Sequence, residues 1–271
     1  MVHEYPLDGA RPVMTHVFRN AANDTIIACK GGVESILRQS VLTDEQKQQM
    51  LEVTQQLSAQ GYRVLAVAKS AKSYDKFPAT QAEFDYTFLG LIAFSDPPKK
   101  NTASIITSFY QAGIGVKMIT GDYAPTAIAI AKQIGIQNHQ AVLTGDEIML
   151  MDAVTIQEKV KATNVYARMF PEAKLKVIEA FKRNGEVVAM TGDGVNDGPA
   201  LKAAHIGIAM GQRGTEIAKQ AASLILTDDN LQHMVEAVAL GRRIYENLKK
   251  AIRYIISIHI PIILIVTIPL L

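Results

Sequence analysis

The stretch that most constrains this chain is residues 186–201, EVVAMTGDGVNDGPAL. It opens with Val187, Val188, Ala189 and Met190, an apolar run of the length expected of a buried strand. Thr191, Gly192, Asp193 and Gly194 follow at once, then Asn196, Asp197, Gly198 and Pro199. Two carboxylates four residues apart in a glycine-punctuated turn suit a particular chemistry. Gly192 and Gly194 accept backbone angles closed to other residues and permit close approach to a ligand. Asp193 is expected at the carboxyl edge of a sheet, where open α/β sheets place ligands. A hard carboxylate oxygen together with phosphate oxygens is what Mg²⁺ prefers. An ordinary acidic turn would explain a lone Gly-Asp-Gly, but not Asn196 and Asp197 in fixed register behind it.

From Lys100 onward strand and helix patterns alternate, which predicts an α/β unit with a doubly wound parallel sheet. Residues 101–111 read as a helix ended by Gly113. A strand over 116–119 leads into Thr120-Gly121-Asp122, and a helix over 126–135 follows. Further strands are predicted at 163–167, 187–190, 205–210 and 222–226, with a helix from Pro171 to Arg183. The chemical groups therefore gather at equivalent strand ends. The Thr120 hydroxyl can donate to a phosphoryl oxygen. Lys174 lies in the first turn of its helix, where an ammonium can neutralise phosphoryl charge as it develops. A cation at that helix end is locally unfavourable, so its position points to a use beyond helix stability. The plainer alternatives are a surface lysine, and Asp122 as a helix cap.

The first 84 residues predict a mixed α+β module. Two strands, 15–20 and 24–30, are joined by Asn20-Ala21-Ala22-Asn23, and Lys30-Gly31-Gly32-Val33-Glu34 follows directly. Thr43 is placed to cap a helix running to Gln60, with Met50, Leu51, Val53, Thr54 and Leu57 at helical spacing. Gly61 ends it, and 63–68 read as a strand. The continuous apolar run 88–94 predicts a strand buried on both faces. It is taken to open the next unit, so that the units are 1–87, 88–230 and 231–271. Ser95-Asp96-Pro97-Pro98-Lys99 stops that strand, the two prolines fixing the exit angle.

Composition bounds what remains. The 271 residues are 48% hydrophobic, enough for a sizeable core, and the single cysteine, Cys29, rules out an internal disulfide framework. A net charge of +2 and the absence of Trp give no support to a nucleic-acid partner. Residues 231–254 form a long helical pattern with Met234, Val235, Val238, Ile244 and Leu248 as its apolar stripe. Residues 254–271 then carry no formal charge and reach about the minimum length for a membrane span. Arg242, Arg243, Lys249, Lys250 and Arg253 precede that run, as on a cytoplasmic flank. An apolar segment at the very end predicts a truncated chain.

MTGDGVNDGPALKAAHIGIAMG resembles the hinge motif of P-type cation-transporting ATPases, members of the haloacid-dehalogenase-like superfamily. Gly198 stands where that family usually has alanine, which loosens the turn. The resemblance extends over nearly the whole chain. It implies that Thr120 holds the transferred phosphate, that Lys174 steadies it, and that Asp193 binds Mg²⁺ with Asn196 and Asp197 completing the site. Gly121, Asp122 and Arg168, the last in YARMFPEAK, would also touch the nucleotide. KGGVE stands where the family has Lys-Gly-Ala-Pro-Glu, so Lys30 and Gly31 would line an ATP pocket. GYRVLAVA resembles the strand whose arginine, here Arg63, contacts the nucleotide. Glu4-Tyr5, with Arg11 and Met14 following, resembles the segment whose aromatic stacks on adenine, which makes Tyr5 the expected platform. Asp96-Pro97-Pro98-Lys99 resembles the string where the chain passes back into the phosphorylation domain, with Asp96 as a hinge carboxylate. Residues 241–247 and 252–254 resemble the cytoplasmic stalk running into a membrane helix. On that register His259 and Ile262 occupy positions where calcium pumps carry ion ligands, and Pro261 would break helical bonding beside them.

By the same resemblance the chain is part of an ATP-driven cation pump, with residues 1–250 cytoplasmic and a lipid membrane beyond. The partners implied are ATP, Mg²⁺, a transported inorganic cation and a missing amino-terminal part of the same pump. The family attacks ATP with an aspartate in an Asp-Lys-Thr-Gly-Thr string, and none occurs among the 271 residues. Transfer to a carboxylate needs that carboxylate at the phosphate position, so this chain alone is expected to be inactive. The alternatives are a soluble haloacid-dehalogenase-like phosphatase and a pseudo-pump fragment that binds nucleotide without turnover.

Overall fold

The computed structural model describes residues 1–7, 12–70, 74 and 76–268. Its first unit is a five-stranded antiparallel sheet in chain order. The strands are β1 (His3–Tyr5), β2 (Val13–Arg19), β3 (Thr25–Gly31), β4 (Arg63–Ser70) and β5 (Thr87–Phe94). Asn23, at the β2–β3 turn, takes a left-handed φ of 71°, which asparagine tolerates better than most residues. Alternate residues of β2 and β3 face inward, so Val13, Thr15, Val17, Ile27 and Cys29 are all buried. They pack with Val33, Ile36 and Leu37 of α1 (Val33–Gln39) in one core. Helix α2 (Asp44–Ala59) begins at the predicted cap: Gln46 N donates to Thr43 Oγ1 and Thr43 N to Gln46 Oε1, a reciprocal box.

This core holds a polar knot. Thr15 Oγ1 donates to Gln81 Oε1 at 2.9 Å and shares a 2.8 Å hydrogen bond with Tyr86 Oη. The Gln81 amide in turn donates to the Val13 carbonyl at 3.0 Å. Burial pushes the Tyr86 phenol far above its ordinary range, so it stays neutral.

Strand β5 departs from expectation. It is an edge strand of the antiparallel sheet, paired among the described residues only with β4, and the division placed between residues 87 and 88 falls inside it. Phe88 and Leu91 turn toward the first core, while Leu89 and Phe94 are about half exposed, at 56% and 49%. Seven consecutive apolar residues thus mark a strand covered on one face only.

After α3 (Thr102–Gln111) the second unit is α/β, but its parallel sheet is not continuous. One three-stranded sheet runs β6 (Met118–Ile119), β8 (Val165–Ala167), β7 (Val142–Thr144). The other runs β11 (Leu224–Leu226), β10 (Ile206–Met210), β9 (Ala189–Gly192). The expected single doubly wound sheet is therefore corrected to two half-sheets, with β6 and β9 each an unshared edge among the described residues. Helix α4 (Ala124–Gln133) follows β6; α5 (Gly145–Leu150) and α6 (Ala153–Ala162) follow β7; α7 (Pro171–Arg183) joins β8 to β9. Helix α7 covers both half-sheets: Ala173 and Val177 belong to the core beside β8, Ile178 to the core beside β9, and Ile119 touches both. Helices α8 (Gly198–Ala203) and α9 (Glu216–Ala221) complete the second core.

Strand β9 starts two residues later than predicted. Val187 is 80% exposed, and of the apolar run only Met190 is buried. Lys117, just before β6, donates to the Thr163 carbonyl at 2.9 Å and the Val160 carbonyl at 3.4 Å. It caps the carboxyl end of α6, where a cation is favourable, and burial depresses its pKa.

Helix α10 (Gln232–Thr267) merges the predicted stalk and apolar run into 36 residues with Pro261 inside. Arg242 donates to the Ala112 carbonyl, at the end of α3, at 2.6 Å. Its apolar half is long enough to cross a membrane and none of it is buried.

Candidate functional site

The polar groups fall into two clusters, of which the first lies between the units. The first is a cleft of about 230 Å³ lined by Lys30, Gly31, Glu34 and Arg63 of the first unit, and by Gly121, Asp122, Tyr123 and Arg168 of the second. Three contacts cross it. Arg63 Nε lies 3.5 Å from Asp122 Oδ1. Arg168 donates to Glu34 Oε2 at 2.8 Å. Thr126 Oγ1 donates to the Tyr62 carbonyl at 3.0 Å.

The local backbone explains these positions. A side chain at Gly31 would put its Cβ 2.3 Å from the Pro12 carbonyl oxygen, so only glycine allows β2 and β3 to close here. Gly32 N donates to that same carbonyl at 2.8 Å, and α1 starts immediately, setting Glu34 in its first turn. Arg168 holds a left-handed φ of 50°, uncommon for a non-glycine residue. The conformation is fixed by Arg168 N donating to the Asp122 carbonyl at 2.9 Å and by the guanidinium lying 5.0 Å from the centre of the Tyr123 ring. Strained backbone of this kind concentrates at functional sites.

The second cluster sits at the ends of β6, β8 and β9. Lys174 donates to Asp197 Oδ1 at 2.7 Å, both side chains being only 12% exposed. Asp197 Oδ2 accepts the N–H groups of Asp193 at 3.3 Å and Gly194 at 3.2 Å. One carboxylate thus shapes the turn after β9 and is neutralised by the lysine of the neighbouring helix. A Cβ at Gly192 would approach the Asp197 Cβ to 2.6 Å, which makes glycine a condition of that turn. Asp193 and Asn196 are exposed, and among the described residues no ion pair or side-chain hydrogen bond engages the Asp193 carboxylate.

Asp122 lies in the cleft, beside Thr120. Its Oδ2 accepts from Thr120 Oγ1 at 2.9 Å, while Oδ1 faces Arg63. Backbone bonds from Met169 N to the Thr120 carbonyl and from Arg168 N to the Asp122 carbonyl tie the loop after β6 to the loop after β8. That second loop leads into α7 and Lys174.

The expected residues divide accordingly. Lys30, Gly31, Arg63, Gly121, Asp122 and Arg168 line the cleft. Lys174, Asp193 and Asp197 gather at the β9 turn, with Asn196 on the same turn, while Thr120, at the end of β6, is bonded to Asp122 of the cleft. Tyr5 is not brought to either. It is 7% exposed, its hydroxyl donates to the Pro78 carbonyl at 2.6 Å, and its ring meets Phe84 edge-on. The expectation of an adenine platform there is corrected: Tyr5 is a core residue of β1. Leu7 lines the cleft instead, beside Met14 and Leu65. Arg11, quoted for the same segment, lies outside the described residues. Asp96 lines a separate hollow with Pro97, Pro98, Lys99 and Arg213.

Among the described residues no group of three or more His, Cys, Asp or Glu side chains could by itself hold a metal. Mg²⁺ is commonly held by one or two carboxylates plus substrate phosphates and water. The exposed, unengaged Asp193 carboxylate fits such a donor.

A haloacid dehalogenase-like hydrolase profile matches residues 10–205, and the chain belongs to that family. Within it, the similarity falls on the P-type cation-transporting ATPase branch. The chain is 37% identical to a calcium-transporting ATPase of Bacillus subtilis, over 96% of this chain and 31% of the relative. It is 39% identical to the "Probable cation-transporting ATPase F" of Mycobacterium tuberculosis, over 92% and 29%. It is 37% identical to calcium-transporting ATPase 1 of Saccharomyces cerevisiae, over 94% and 29%. The chain thus spans less than a third of the length of these curated relatives.

Proposed function

We propose that the chain is the carboxyl part of the nucleotide unit, the phosphorylation unit and the stalk of an ATP-driven cation pump that works through an aspartyl-phosphate. It supplies ATP and Mg²⁺ contacts but not the nucleophile. The observation that carries this reading is the double engagement of Asp122, which ties the cleft between the units to the Thr120 hydroxyl and, through the loop after β8, to the Lys174 turn.

In this reading Lys30, Arg63 and Arg168 receive the phosphates and sugar side of the nucleotide, with Gly31 and Gly121 leaving room for it. Leu7, Met14 and Leu65 offer the base an apolar surface, one exposed and two half-buried side chains at the cleft. Thr120 donates to the transferred phosphoryl group. Lys174, fixed by Asp197, holds positive charge where phosphoryl charge develops. Asp193 would hold Mg²⁺, which would offset the negative charge of the phosphate when bound, and Asn196 lies on the same turn. The nucleophile is proposed to come from a partner segment of the same pump, whose strand would pair with the open edges of β6 and β9. Asp96 does not replace it, because it follows an antiparallel edge strand rather than a parallel one; this also weighs against a self-sufficient soluble phosphatase. The basic flank of α10 supports a membrane setting with residues 1–250 on the cytoplasmic side.

The test combines nucleotide titration with a phosphate-release assay on the full chain in detergent. The expected result is Mg²⁺-dependent ATP binding without turnover, with Asp193→Asn losing the Mg²⁺ dependence. Sustained phosphate release by the chain alone would sink the assignment of the nucleophile elsewhere; absence of any ATP binding would sink the cleft.

A further inference from the structure

The cations facing the cleft are not idle. Each unit contributes one arginine and one carboxylate across the gap: Arg63 reaches to Asp122, and Arg168 reaches back to Glu34. A polyphosphate entering the cleft would compete for both guanidinium groups with oxygens of the same geometry. Asp122 has a second engagement, with Thr120. Among the described residues Glu34 has none besides Arg168, and its position on the first turn of α1 follows from the Gly31–Gly32 closure.

We propose that Glu34 is an exchangeable latch. Without nucleotide its carboxylate occupies Arg168 and holds the two units against each other. Polyphosphate displaces it, transferring Arg168 from protein carboxylate to ligand. The pair is suited to exchange because its side chains are 34% and 40% exposed, and ion pairs that open to water are weak. The strained Arg168 backbone and the Tyr123 ring keep the guanidinium in place during the exchange, so only the carboxylate has to leave. The inference rests on the cleft being the nucleotide site, and its readouts separate the two.

Glu34→Gln keeps the shape of the side chain and removes its charge. In calorimetric titration of the full chain, E34Q is expected to bind ATP roughly two- to fivefold more tightly than the unmodified protein. Adenosine binding should not change, because no phosphate competes. Arg168→Gln should weaken ATP binding, and the double variant E34Q/R168Q should match R168Q alone, since the latch has nothing left to hold. A merely structural role for Glu34 would lower affinity or leave it unchanged, and either outcome overturns the proposal. Hydrogen exchange without ligand is the independent readout: E34Q should speed exchange around Tyr62 and Thr126, whose contact spans the same gap. Unchanged exchange there overturns the latch even where ATP binds. Failure of every variant to bind ATP overturns the cleft reading, and the exchange result then judges the latch by itself.

Discussion

The antiparallel unit is built mostly on long strands and the parallel unit on short ones, and the two hold together differently. In the first, all five strands share one sheet and one core, and Thr15, Gln81 and Tyr86 form a hydrogen-bonded group within it. In the second, two half-sheets divide the interior into three smaller cores, two of them bridged by α7 and Ile119. The difference teaches where adaptability resides. A closed core resists local change, whereas a split one leaves the strand ends that bear Thr120 and Asp193 on separate sheets, joined by loops and one ion pair.

The largest expected effect comes from opening each interior. Ile36 and Leu201 are both essentially unexposed. Ile36→Ala and Leu201→Ala should each cost about 2–5 kcal/mol. In hydrogen exchange, Ile36→Ala should loosen every strand of the first sheet. Leu201→Ala should loosen β9 and β10 while β6, β8 and β7 keep their protection. Uniform loosening of the second unit would erase the contrast.

A smaller effect is expected from Thr15→Val, which preserves shape but strands the Gln81 carbonyl and the Tyr86 hydroxyl. Leaving buried polar groups unpaired costs about 1–3 kcal/mol, readable as a lower denaturant midpoint. No matching loss is expected from Thr107→Val in α3, whose exposed hydroxyl bonds only its own helix.

The smallest concerns the join to α10. His233 bonds Glu236 at 2.9 Å and Asp228 at 3.1 Å, and these carboxylates raise its pKa. The folded state therefore favours the protonated ring. The resulting stability is fully present below the unfolded value of about 6.5 and fades as pH rises through the higher folded value. An NMR titration should place the midpoint of His233 above the ordinary imidazole range, and His233→Gln should flatten that part of the pH–stability curve. A midpoint at or below the ordinary value would refute the ion-pair assignment.

Much of this organisation is legible in the residues themselves. Helical spacing and a Thr43 cap mark α2, and Pro171 and the glycine after Arg183 bracket α7 closely. The Thr120, Lys174 and Asp193 turns are found because their polar groups interrupt apolar strands at characteristic places. What escaped was decided by tertiary context. Residues 88–94 look like a strand buried twice over, yet β5 has a neighbour on one side and solvent on the other. Tyr5 carries a ring suited to stacking, but an inward register buries it and leaves Leu7 at the cleft. Helices α5 and α6 went unmarked despite the caps at Thr144 and Asp152. The break between β6 and β9 has no local signature, because pairing is a property of two distant segments.

The pinning of α10 at Arg242 has a mechanical consequence. From Arg242 to Thr267 the helix extends for about 38 Å at 1.5 Å per residue. A rotation of the α3 end by only about 5° would sweep its far tip through roughly 3 Å, on that helical length. Pro261 removes one backbone bond near the tip, making a compliant wrist that lets the last turns lag behind the arm.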